Sequence, residues 1–153
     1  MKKVAVGCDP NAAALKQVVK EHLRELGYET QDYGSDDTVY ANVAIRVAEA
    51  VARGDHDRGI LICGTGIGVS IAANKVPGAY AALCSDAYSA ERARKSNNAN
   101  IMTMGSQVIG TELAKTLVAI WMRSEYTPGG RSEPKVRRIV EYDRARSGAG
   151  PSE

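Results

Sequence analysis

The chain has 153 residues, 44% of them hydrophobic and 25% charged, the proportions of one soluble α/β or α+β domain. Lys and Arg number 20 against 18 Asp and Glu, so the net charge of +2 gives no support to a nucleic-acid or basic membrane-surface role. No apolar run approaches the roughly 18 residues of a spanning helix, and Met1-Lys2-Lys3 leads into too short an apolar run for a signal peptide.

Short β-branched runs alternate with longer helical patterns. In chain order the spacing predicts a strand over Lys3–Val6 and an amphipathic helix over Ala12–Leu26. In that helix Leu15, Val18, Val19, Leu23 and Leu26 recur at three- and four-residue steps. Gly27 stops it, in the position of a left-handed cap. There follow a strand over Glu29–Tyr33, a helix over Val39–Ala52, a strand over Gly59–Cys63 and a helix over Gly68–Asn74. A strand over Ala79–Cys84, a helix over Ala87–Lys95, a strand over Ile101–Met104 and a helix over Thr111–Arg123 complete the series. Several strands are almost wholly apolar, as they must be when helices cover both faces. The alternation predicts an α/β fold, a single doubly wound domain with a five-stranded parallel sheet. With no Phe, and only Trp121 and seven Tyr as aromatics, its core has to be mostly Val, Ile, Leu and Ala.

Beyond Trp121 the texture changes. Thr127-Pro128-Gly129-Gly130 reads as a turn, and Glu133–Arg146 as a basic helix with a thin stripe of Val136, Ile139, Val140 and Asp143. Such a helix is marginal alone. It is either a solvated appendage or an element that packs on another subunit. The domain spans 1–146, and Ser147–Glu153 reads as a disordered tail.

In open parallel sheets ligands bind at the carboxyl ends of the strands. Three such ends carry polar or reactive groups: Cys8-Asp9, Cys63-Gly64-Thr65-Gly66-Ile67-Gly68, and Ser85-Asp86. The glycines of the middle one let the backbone turn tightly and aim amide hydrogens at one spot before a helix, a nest for an anion. It is neither a phosphate-binding P-loop, since Gly68 is followed by Val69-Ser70, nor a dinucleotide fingerprint, since Val69 stands where the third glycine belongs. A thiol at such a place is either a base or nucleophile activated by the helix start, or a buried strand end. Base plus nest matches proton abstraction beside a carbonyl. Cys8 and Cys84 read as simply buried. An odd cysteine count at no metal-like spacing suits reduced thiols in a cytoplasm, a three-cysteine zinc site being the weak alternative. Asp9 either binds sugar hydroxyls or caps the helix after it. The Asn97-Asn98-Ala99-Asn100 run either supplies amide groups or forms a turn. His22, on a helix surface, and His56, in a charged turn, look uncatalytic, so the usual histidine acid or base is missing.

Four strings carry a family resemblance: Gly7-Cys8-Asp9, the segment from Ile60 through Cys63-Gly64-Thr65-Gly66 to Lys75, Tyr88-Ser89-Ala90, and Gly129-Gly130-Arg131. From about Lys3 to Tyr142 the chain resembles ribose-5-phosphate isomerase B and its relatives, among them the galactose-6-phosphate isomerase subunits. The resemblance implies a Rossmann-like α/β/α domain, a homodimer or homotetramer with sites at the subunit boundary, and aldose–ketose isomerisation through a cis-enediolate without metal or cofactor. It implies Cys63 as the base and Thr65 as the hydroxyl beside it. It also implies an anion hole from the amides of Gly64, Gly66 and Gly68, helped by Asn97, and sugar contacts at Asp9 and Tyr40. Arg131 and Lys135 would reach a phosphate in the neighbouring subunit, which agrees with a C-terminal helix (about 133–146) that packs on a partner.

The departures are as informative. Pro10, Ser96 and Ser132 stand where the family usually has His, Gln107 where Arg is common, and Lys135 in place of another Arg. Ser96 removes the usual ring-opening group, and the others remove phosphate ligands, each worth about 1.5–3 kcal/mol. Together they point to a changed substrate: a small sugar or a pentose or tetrose phosphate. A tetrose with phosphate on O4 cannot close a furanose ring and needs no ring-opening histidine. Two alternatives stay open. One is a subunit of a two-paralogue isomerase, inactive alone; the other is a non-catalytic sugar-binding relative.

Overall fold

The structure, a computed structural model, describes residues 1–148. Five parallel strands form one sheet in the order β2-β1-β3-β5-β4. They are β1 (Val4–Cys8), β2 (Thr30–Asp32), β3 (Gly59–Cys63), β4 (Ala81–Leu83) and β5 (Ile101–Gly105). Six α-helices connect and follow them: α1 (Ala13–Glu25), α2 (Tyr40–Ala52), α3 (Ile67–Ala73), α4 (Ala87–Lys95), α5 (Thr111–Arg123) and α6 (Glu133–Arg146).

The three inner strands are five residues long and buried throughout. Their alternate side chains feed two cores, so neither face can be polar. Val4, Val6, Cys8, Ile60, Ile62, Met102 and Met104 meet α1, α4 and α5, with Trp121 buried among them. Ala5, Leu61, Cys63 and Ile101 meet α2 and α3 on the opposite face. The two edge strands are shorter than the sequence predicts. The expected Glu29–Tyr33 contracts to Thr30–Asp32 and Ala79–Cys84 to Ala81–Leu83, because an edge strand has a ladder on one side only. The first helix also starts one residue later than expected: Pro10–Ala12 is a 3₁₀ turn capped by the Asp9 carboxylate, which accepts from Asn11 N.

His56 is not in an exposed charged turn; it is buried, hydrogen-bonded to Tyr33 Oη and to the Lys3 carbonyl at 2.7 Å each. At the same amino edge of the sheet the buried Arg58 guanidinium donates to the carbonyls of Trp121, Met122 and Ser124 and to Glu125, satisfying the end of α5. Helix α6 buries none of its residues. It is tied to its own chain by Asp143, which accepts from Gly78 N at 2.9 Å and Tyr80 Oη at 2.8 Å. The tail expected over Ser147–Glu153 falls largely outside the described residues; Ser147 and Gly148 close α6, with Ser147 N donating to Asp143 O. No helix among the described residues is long and apolar enough to cross a membrane.

Candidate active site

Strand β1 is flanked by β2 on one side and β3 on the other, so the chain reverses its direction of winding between β1 and β3. In open parallel sheets such a switch point, at the carboxyl edge, is where a ligand-binding crevice forms. The register Cys8↔Ile62 sets Asp9 level with Cys63 across it. Asp9 is also held there by its own N–H, which donates to Ile62 O at 3.1 Å.

Cys63 ends β3, and the loop after it turns back over its sulfur. The Gly66 amide donates to Cys63 Sγ at 3.1 Å. Gly66 sits at φ +83°, and a Cβ there would come within 2.7 Å of the Met104 carbonyl carbon, so only glycine permits this turn. On its other side the Gly66 carbonyl accepts from the buried Thr103 hydroxyl at 2.9 Å. Thr65 is exposed at the tip, its Oγ1 accepting from Ile67 N at 3.1 Å. The next two amides, of Gly68 and Val69, lie in the first turn of α3, where no intrahelical carbonyl is available. Val69 is fully buried, which leaves the half-buried Gly68 as the accessible donor of the nest. Of the three glycine amides expected to form it, that of Gly66 is committed to the thiol.

Two side chains close over the loop. The Tyr40 ring, from the start of α2, lies so close to Gly68 that a Cβ there would sit 2.1 Å from Tyr40 Oη. From the segment after β5, Gln107 packs its carboxamide on Gly64, 3.3 Å from where a Cβ would be, and its N–H donates to Gly64 O at 3.0 Å. Ser106 N donates to Cys63 O at 2.9 Å. Cys63, Thr65, Gly64, Gly66, Gly68, Asp9 and Tyr40 thus come together in one chain. Sequence reasoning missed Thr103 as the loop's support. Its signal was a hydroxyl inside an otherwise apolar strand, which must find a partner when buried.

Cys8 and Cys84 lie on the other face of the sheet from Cys63. Both point into the opposite core, and burial pushes each thiol up to about 11. The three thiols therefore do not converge, and no group of three His, Cys, Asp or Glu able to hold a metal occurs among the described residues. Asp86 caps α4, its Oδ1 accepting from Ser89 N at 2.8 Å.

Asn97, Arg131 and Lys135 lie elsewhere. Helix α4 runs from the carboxyl edge of the sheet to its amino edge, so Asn97 falls just before the start of β5. Ile101 pairs with Gly59 and Gly105 with Cys63, which separates the two edges by about 13 Å of strand. Asn97 Nδ2 donates to Arg92 O at 3.0 Å, closing the end of α4. Arg131 and Lys135 are exposed at the turn and first residues of α6, on that same amino edge. One chain does not bring these three to Cys63.

The sequence pattern of the Ribose/Galactose Isomerase family matches residues 4–139. The chain is 47% identical to the D-erythrulose-4-phosphate isomerase of Pectobacterium atrosepticum, over 94% of this chain and 96% of that protein. To the ribose-5-P isomerase B of Listeria innocua it is 50% identical, over 92% and 97%. The solved ribose-5-phosphate isomerase B of Clostridium thermocellum superposes with a TM-score of 0.88 at 41% identity, over 94% of this chain and 99% of that one. A switch-point crevice with a thiol under a glycine-rich turn, matched along nearly the whole chain, settles the assignment: this protein belongs to the Ribose/Galactose Isomerase family.

Proposed function

We propose that this chain interconverts an aldose and a ketose phosphate through a cis-enediolate, with Cys63 as the base, and that its substrate is a four-carbon sugar phosphate. The observation that carries the chemistry is the Gly66 amide 3.1 Å from Cys63 Sγ, beside the half-buried Gly68 amide at the start of α3. A thiolate there takes the proton from C1 of the ketose. The charge that develops on the C2 oxygen meets backbone donors, and the thiol returns its proton to C2 to give the aldose. The Thr65 hydroxyl, exposed at the tip, carries the second proton between O1 and O2.

The substrate size rests on Ser96. It caps α4, its N–H bonded to Arg92 O at 2.9 Å, where the resemblance leads one to expect a ring-opening histidine. Erythrose 4-phosphate has no free O4 and stays open-chain, so it needs no such group. The erythrulose-4-phosphate isomerases among the relatives fit this reading.

We further infer a two-fold pair in which Asn97, Arg131 and Lys135 of each chain complete the crevice of the other. Ile67, Ile71, Leu83 and Tyr88 support this: they are apolar or aromatic, exposed, and set around the same carboxyl edge.

Proton NMR in heavy water tests the reading, with erythrulose 4-phosphate and ribose 5-phosphate offered separately. Deuterium should enter C1 of erythrulose 4-phosphate, cease in Cys63→Ala, and gain nothing from Ser96→His. A large gain on the tetrose from Ser96→His would sink the substrate assignment. No exchange with any sugar phosphate would sink the isomerase reading itself.

A further inference from the structure

Lys16, in α1, carries a buried ammonium that the reaction above does not use. It is 3% exposed, and its Nζ donates to Asp32 Oδ1 at 2.7 Å. Taking an ammonium out of water is costly even when it is paired. Lys20, one turn further along the helix and partly exposed, donates to the other oxygen, Asp32 Oδ2, at 2.9 Å. A tie between α1 and β2 is therefore already in place at the surface, and it does not explain the charge beneath.

The buried pair differs in what else Asp32 Oδ1 holds. That oxygen also accepts from the Gly34 amide at 2.8 Å. Gly34, at φ +114°, presents its carbonyl to β1, where it accepts from Cys8 N at 3.2 Å. Cys8 precedes Asp9, whose own N–H is bonded to Ile62 O at 3.1 Å. The backbone at Asp9 is thus fixed from β3 on one side and from the Gly34 turn on the other. The same turn is joined to Tyr40, the first residue of α2. Arg46 of α2 donates to Tyr33 O at 2.8 Å, and Asp37 closes the entry to the helix by accepting from Val39 N at 2.8 Å. Cys63 stands outside this network, since its turn is held from β5 by Thr103.

Resting on the isomerase reading above, we propose that Lys16 is a positioning residue: through Asp32 and the Gly34 turn it sets Asp9 and Tyr40, the sugar contacts that the family resemblance implies. Lys16 touches no substrate. Shielded from water, its ammonium holds the carboxylate in one orientation, which a solvated ion pair such as that of Lys20 does only weakly. Binding of the sugar depends on that placement throughout the reaction, whereas proton transfer at Cys63 does not, so the loss falls on KM.

Steady-state kinetics with erythrulose 4-phosphate and hydrogen exchange read by mass spectrometry, both on the full chain, provide the test. Lys16→Met should raise KM at least about fivefold and leave kcat within about twofold. Its amides over residues 7–11 and 33–40 should exchange faster than in wild type, while those of β3 and β5 keep their rates. Lys20→Gln, which removes the surface ammonium from the same carboxylate, should match wild type in both readouts. If Lys16→Met does not fold, Asp32→Asn carries the test, with a smaller rise in KM and the same pattern of exchange. An unmoved KM overturns the proposal, as does a fall in kcat without a change in KM, or an equal effect from Lys20→Gln. Exchange needs no turnover. A wild type that isomerises no sugar phosphate would sink the reading of function, and faster exchange confined to the two segments would still uphold the link from Lys16 to Asp9 and Tyr40; unchanged exchange there would overturn it.

Discussion

The hydroxyl of Thr103 reaches 2.9 Å across from β5 to the carbonyl of Gly66, the same residue whose amide is aimed at the Cys63 sulfur. The turn over the thiol is thus fixed at both ends of one residue, by a group that is itself fully buried. Thr103→Val keeps the shape and leaves the Gly66 carbonyl without its donor. Such a buried acceptor costs about 1–3 kcal/mol. A lower urea midpoint is expected, together with a fall in kcat larger than any change in KM. Full activity in this variant would show that the turn does not depend on Thr103.

Gly68 and Tyr40 should behave as one unit. An alanine at Gly68 would place its Cβ 2.1 Å from Tyr40 Oη, and Tyr40, 37% exposed, can yield only by swinging outward. Gly68→Ala and Tyr40→Ala should therefore each raise KM for the sugar phosphate. Their combination should be no worse than the poorer single variant. Additive losses measured in a double-mutant cycle would contradict the coupling.

Acid should weaken the β1–β2 edge through Asp32. Burial alone would raise this carboxyl, but hydrogen bonds from Lys16, Lys20 and Gly34 N outweigh it and hold it at about 2 against an ordinary 3.8. A depressed carboxyl contributes stability above the unfolded value and loses it as pH falls through the folded one. The urea midpoint should accordingly drop between about pH 4 and pH 2. Asp32→Asn should be less stable at neutral pH and flatter across that window. An identical slope in both proteins would remove Asp32 from the acid response.

Asp143 is the peg of α6. Burial, then the hydrogen bond to Asp143, push the Tyr80 phenol up to about 12. Asp143→Ala should bring it part of the way back toward 10, visible by ultraviolet titration, and should open α6 to limited proteolysis near residues 127–132. Unchanged cleavage would mean that other contacts hold the helix.

Much of this was legible before any coordinates. The apolar runs of β1, β3 and β5 and the amphipathic spacing of α1 are local properties, and they gave the sheet and its layers. Cys63 and its glycines could be singled out as a nest at a strand end, although their spacing left the thiol either a base or a buried strand end, and only the family resemblance implied the base. Strand order was not legible: the sequence does not say that β5 slips between β3 and β4. Nor was the fate of His56, which the charged neighbours Asp55 and Asp57 made look exposed; it depends on Lys3 and Tyr33, far off in the chain. The cap that Asp9 makes on the turn at Pro10–Ala12 is local, through Asn11 N, and is one of the two roles its position in the sequence left open.

The opposite placement of Cys63 and Asn97 has a genetic corollary. A chain that keeps the thiol but lacks the carboxamide, and one that keeps the carboxamide but lacks the thiol, are both dead as self-pairs in the two-fold assembly proposed above. Mixed, they regain one whole crevice per hybrid, formed from the intact halves of each. Cys63→Ala and Asn97→Ala co-expressed in one cell should complement each other, as lesions confined to the same half should not.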